Sequence, residues 1–155
     1  MNEEDKREIW NKNLIKNHNG QWFSFDDLPQ EAQNAAIIYQ FGSGSRWSKI
    51  EKEHIEEARQ ELRERTRGRL WGFVYIPTKQ VKQFVFQFGK DVSKDWKDFD
   101  SYHKWYVSCG DTPKHRKKWP IILSGFMDEF IQDGWHRMHC YIKHGKKKIP
   151  ALLFP

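Results

Sequence analysis

Phe130-Ile131-Gln132-Asp133-Gly134-Trp135-His136-Arg137 reads as a short strand that turns on glycine into a helix. The strand spans 129–132, and the helix runs from the Asp133-Gly134 turn to about His144, where Gly145 closes it. Upstream, Pro120-Ile121-Ile122-Leu123-Ser124 is a strand and Gly125–Asp128 a turn; downstream, Ile149–Phe154 is a final strand. This order predicts a helix packed on a small mixed sheet, the core of an α+β fold.

Moving toward the N-terminus, Trp71–Ile76 is apolar on both faces, as in a buried strand, and Pro77 ends it. Phe84, Phe86 and Phe88 alternate as in a strand, whereas Val81, Phe84, Val85 and Phe88 fit one helical face. With Thr78 as cap and Gly89 as stop, the helix is favoured. Ser93 is placed to cap another helix, with Trp96, Phe99, His103 and Tyr106 on one face and an end near Gly110. Such an aromatic stripe is more often core than a ligand platform.

Residues 1–70 read as a helical N-terminal region preceding an α/β domain at 71–155. A first helix over Lys6–Ile15 is stopped by Asn17-His18-Asn19-Gly20. Asp27 ahead of Leu28-Pro29-Gln30 is an N-cap with proline in the first turn, and its helix reaches about Phe41. Gly42–Ser45 is the expected joint. Ser48 and Glu51 form a capping box for a charged helix that ends before Gly68. On it, Arg59, Arg63 and Arg67 make a stripe that could meet phosphates but reads first as a solvated face.

The chain has 155 residues, 15% of them aromatic, which supports a packed core although 31% are charged. Its net charge of +6 is uneven. Residues 1–110 hold 18 Lys/Arg against 17 Asp/Glu; residues 111–155 hold 9 against 4. A polyanion would therefore be drawn to the C-terminal third. Two cysteines, Cys109 and Cys140, make no disulfide framework. No apolar run approaches the roughly 20 residues that span a bilayer, and the acidic start is unlike an export signal. The expectation is a cytoplasmic protein without a membrane partner.

The chemistry sits at the glycine turn. The first N–H groups of a helix have no partner within it and attract anions. His136 and Arg137 add donors, and an arginine fork matches phosphate oxygens. Spacing alone does not separate this from any capped helix with an early basic residue.

The surrounding order adds to it: Trp119-Pro120-Ile121-Ile122, the 130–137 stretch, Tyr141-Ile142-Lys143-His144-Gly145, then Ile149-Pro150-Ala151-Leu152. Over residues 117–154 this resembles the ParB/sulfiredoxin superfamily, with Asp-Gly-x-His-Arg opening a helix between strands. The resemblance implies nucleotide binding, with Gly134, Trp135, His136 and Arg137 near the phosphates. It also implies a nucleoside triphosphate with Mg²⁺ as cofactors, and NTP hydrolysis, phosphoryl transfer or nuclease action as candidate reactions. Sulfiredoxins carry a cysteine where this chain has Trp135, so sulfiredoxin activity is not expected. Asp133 is the candidate catalytic group, where a γ-phosphate or Mg²⁺ could be reached, with helix capping as its simpler role.

Two basic clusters flank the turn: Lys114, Arg116, Lys117 and Lys118 on one side, Lys146, Lys147 and Lys148 on the other. They are candidate contacts for DNA or RNA, and equally solvated loops. A non-catalytic DNA- or RNA-binding accessory protein is thus the alternative to a nucleotide-binding one. His136, Cys140 and His144 recur every four residues with His139 beside them, but no second ligand cluster accompanies them, so no metal site is assigned.

Overall fold

The structure, a computed structural model, describes residues 2–42, 50–108, 116–123 and 130–155. The expected cap at Ser48, the joint beyond Gly42 and the turn at Gly125–Asp128 lie outside the described residues, as do Cys109, Lys114 and Glu129.

The fold is α+β. In chain order come α1 (Glu3–Asn17), β1 (Gln21–Phe23), a 3₁₀ turn (Phe25–Asp27) and α2 (Gln30–Phe41). A π-helical turn (Ile50–His54) leads into α3 (Ile55–Arg65), followed by β2 (Trp71–Pro77), α4 (Thr78–Phe88), α5 (Lys90–Asp95) and α6 (Phe99–Val107). The C-terminal part is β3 (Ile121–Leu123), β4 (Ile131–Asp133), α7 (Trp135–Lys143) and β5 (Lys148–Leu153). The five strands form one mixed sheet in the order β1-β2-β5-β3-β4. Only β3 and β5 run parallel, registered at Ile121–Ala151, Ile122–Leu152 and Leu123–Leu153.

Strand alternation sorts the core into two layers. Val74, Ile76, Ile121, Ile149, Ala151 and Leu153 face one side, where Leu14 and Ile15 of α1, Val81 and Val85 of α4, and Met138 of α7 pack on them. Trp71, Ile122 and Leu152 face the other, against Ala32, Ala35, Ala36 and Ile37 of α2 and Leu62 of α3. The small alanine side chains suit close packing of α2 on the sheet, and Trp71 packs between the Phe25 and Phe154 rings. Residues 1–70 thus contribute a strand as well as helices, since β1 pairs antiparallel with β2.

Several helix starts differ from expectation. Asn2, not a residue near Lys6, caps α1 through its side chain. Pro29 occupies the N-cap of α2, because Asp27 is taken into the 3₁₀ turn. Thr78 does not cap α4; its hydroxyl donates to the Lys146 carbonyl (2.6 Å), pinning the lysine turn to the start of that helix. Ser93, expected to cap a helix, lies inside α5, and Asp98 caps the separate α6 by accepting from the Ser101 amide. The Arg59/Arg63/Arg67 stripe is tied within the protein. Arg59 is buried on Gln33, Asn34 and Glu56, Arg63 meets Asp26, and Arg67 meets Glu64. Among the described residues, no helix is long and apolar enough to cross a membrane.

Candidate functional site

At the end of β4 the chain passes through Gly134, whose φ of 94° is left-handed, and enters α7 with no side chain capping the first turn. Asp133, expected as a candidate catalytic group or as the helix cap, does not cap the helix. Its carboxylate lies 3.8 Å from the Arg137 guanidinium, one turn along. Arg137, expected to offer its fork to a phosphate, is instead 6% exposed and turned inward. Its Nε and Nη2 donate to the Pro120 carbonyl at 3.2 and 2.9 Å. Burial pushes the guanidinium below the usual arginine range, and Asp133 opposes that shift. The fork has found acceptors inside the fold, so it braces α7 against the start of β3.

Gly134 is buried under that side chain. A Cβ added there would stand 2.8 Å from Arg137 Nη2, and the backbone is already left-handed. Gly134→Ala should therefore cost about 1–3 kcal/mol, read as a lower melting temperature; unchanged stability would contradict the close approach. Trp135 is half-buried against the core, and His136 is exposed beside the Tyr106 ring, 5.0 Å away. The turn thus keeps first-turn amides and one outward imidazole. Among the described residues, a Mg²⁺ ion at this turn would meet the Asp133 carboxylate alone, which already faces a guanidinium, and that donor set does not fit a hard divalent cation.

The basic clusters separate into paired and outward residues. Arg116, expected to contact a polyanion, is instead bound to Glu51 and lies over the Trp119 ring at 4.9 Å. Lys117 is half-buried. Lys118, Lys146, Lys147 and Lys148 are exposed. Lys118, Lys146 and Lys148 meet around a hollow of about 320 Å³ floored by Phe73, Tyr75 and Pro150. The parallel pairing of β3 with β5 brings them together. Lys118 and Lys148 each stand three residues ahead of the Ile121–Ala151 register pair, so both lie at the amino ends of adjacent strands. Tyr75 is registered opposite Pro150. Its strand is progressively uncovered: Trp71 is fully buried, Phe73 half-buried and Tyr75 52% exposed, because the α2/α3 layer covers the Trp71 end. Tyr141 also borders the hollow. Its hydroxyl donates to the Trp119 carbonyl (2.8 Å), and burial raises its pKa.

Two further features escaped the sequence reading. A cleft of about 810 Å³ lies at the carboxyl ends of β3 and β5, with Trp22, Tyr39 and Phe154 beside Arg7, Arg69 and Glu8. Its position suits a ligand, but its charges are of both signs and select no ligand class. The other is a histidine pair, His103 of α6 and His139 of α7, with Nδ1 atoms 2.7 Å apart and Tyr106 stacked on His139 at 3.9 Å. One ring must donate and the other accept, so the two cannot both be charged. Burial lowers both pKa values, that of His139 to about 3. The stripe of His136, Cys140 and His144 is broken by burial of Cys140. Among the described residues, no group of three or more His, Cys, Asp or Glu could share a metal ion. The basic runs pointed to the lysines of the hollow, and nothing local pointed to its Tyr75 floor, to the cleft or to the pair.

The fold and these sites define an α+β protein with a lysine-rimmed hollow and an uncapped glycine-opened helix. Comparison with protein-family models, curated proteins and solved structures finds no match.

Proposed function

We propose that this protein binds nucleic acid, with phosphates held by Lys118, Lys146 and Lys148 around the hollow. The observation that carries this reading is their convergence: Lys118, 28 and 30 positions before Lys146 and Lys148, rings one concavity with them, and none of the three has an ion-pair partner among the described residues. Phosphate contacts of this kind release counterions, so affinity should fall steeply with salt. Fluorescence anisotropy with a labelled oligonucleotide between 50 and 200 mM salt tests it. Reversing all three lysines to glutamate should weaken binding at least about tenfold and flatten the log–log salt slope by about 2–3. Unchanged affinity and slope would leave the lysines as solubilising groups.

A second reading, nucleotide binding at the α7 N-terminus, is supported by its missing side-chain cap and the exposed His136. The strand–turn–helix–strand order that resembles the ParB/sulfiredoxin superfamily supports it too. In this reading Arg137 serves as the brace and only amides and His136 face the phosphate. Titration calorimetry with ATP, CTP and GTP decides it, and absence of heat at millimolar nucleotide would retire it.

A further inference from the structure

We infer that the hollow seats one unstacked base of a single strand against Tyr75, with the three lysines on the flanking phosphates. This rests on the proposed nucleic-acid binding and names its substrate class.

Four features of the hollow converge on a base. A half-exposed tyrosine ring on a sheet face is a stacking surface, and every base offers a π-face to it. The Tyr75 ring stands edge-to-face with Phe73, centroids 5.5 Å apart at 88°, so it is braced from one side. The lining includes Pro29, Pro120 and Pro150, which are rigid and apolar. The volume lies at the lower end of the range for small-ligand sites, about 300–1,000 Å³. A duplex keeps its bases stacked inside and could touch only the rim; a single strand can turn a base inward.

Charge sorts the phosphates from the base around the hollow. Glu31, at the start of α2, is exposed and is the one acid among the described residues of the lining, and its charge reaches the Tyr141 hydroxyl. A phosphate on its side of the hollow would meet this carboxylate. A base carrying an exocyclic amine could instead donate to it, as cytosine does to acidic side chains. The hollow should therefore prefer cytosine or adenine to thymine.

Anisotropy at 100 mM salt with oligo-dC, oligo-dT and a mixed-sequence duplex, each of twelve positions, tests the seat. Tyr75→Ala should weaken oligo-dC binding about tenfold or more, leave the duplex and the salt slope unchanged, and fold normally because the ring is exposed. Tyr75→Phe should stay within about threefold of wild type. Oligo-dC should bind more tightly than oligo-dT, and Glu31→Gln should narrow the difference. If Tyr75→Ala changes nothing, or weakens strand and duplex alike, the base seat is overturned while the lysine variant still reports on nucleic-acid binding. Failure of wild type to bind any of the three overturns both readings. Competition by polyglutamate as effective as by unlabelled oligonucleotide would overturn the seat in favour of an acidic peptide.

Discussion

Replacing Arg137 by alanine is expected to destabilise the protein by about 2–4 kcal/mol, from the lost hydrogen bonds of a buried charged group and the lost packing of its side chain. The guanidinium gives two donors to the Pro120 carbonyl and lies against Asp133. Without it, the carbonyl loses its partner inside the fold, the carboxylate loses its counter-charge, and space opens over Gly134. For a chain of this size each kcal/mol shifts the melting temperature by roughly 2–4 °C, so a drop of about 10 °C is expected. Arg137→Lys keeps the charge but not the planar fork, and should lie between the two. Oligonucleotide affinity of the folded variant should be unchanged. A melting temperature within about 2 °C of wild type would mean that the guanidinium braces nothing.

Acidification should unfold the protein earlier than its carboxylates require. His139 is buried and neutral, with a pKa pushed down to about 3, and its partner His103 is lowered too. Above the unfolded value of about 6.5, neither state holds a proton on these rings and they contribute nothing to the pH dependence. Below it the unfolded chain takes up protons that the folded chain refuses, so stability falls as pH drops from about 6.5 toward 3. The groups around the pair sharpen this. Lys82 and His136 disfavour a charge there, Asp100 partly compensates, and Phe99, Tyr102 and Tyr106 are aromatic walls. Between pH 6.5 and 5 the loss should be about 1–2 kcal/mol, in a window that lies above ordinary carboxylate titration. Urea unfolding across that window measures it. His139→Phe, which suits the aromatic surroundings, should reduce the slope. Equal slopes in wild type and variant would assign the acid sensitivity elsewhere.

What the sequence determined by itself was local. The 3.6-residue pattern around Val81, Phe84, Val85 and Phe88 predicts α4, and the apolar run at 71–76 predicts β2. Gly145, at φ 68°, ends α7 as its lack of a side chain allows, and Asn19, at φ 56°, stops α1. These signals lie within a few residues of the structure they specify. The order of strands, helix and turn over 120–154, and with it the mixed sheet, was legible for the same reason.

What only the tertiary structure decided was where the charged side chains spend their charge. Arg116, Arg137 and Lys118 read alike along the chain as basic residues near a turn. The first two turn inward because Glu51 and the Pro120 carbonyl, 65 and 17 residues away, are within reach. Lys118 has no ion-pair partner among the described residues and is exposed with Lys146 and Lys148. That grouping exists only because β3 and β5 run parallel side by side, which aligns their amino ends. The His103–His139 pair likewise needs two helices packed together. Hydrogen bonds and ion pairs form through space, where sequence distance counts for nothing, so a pattern of charges shows which groups must find partners and the packed fold shows which of them did.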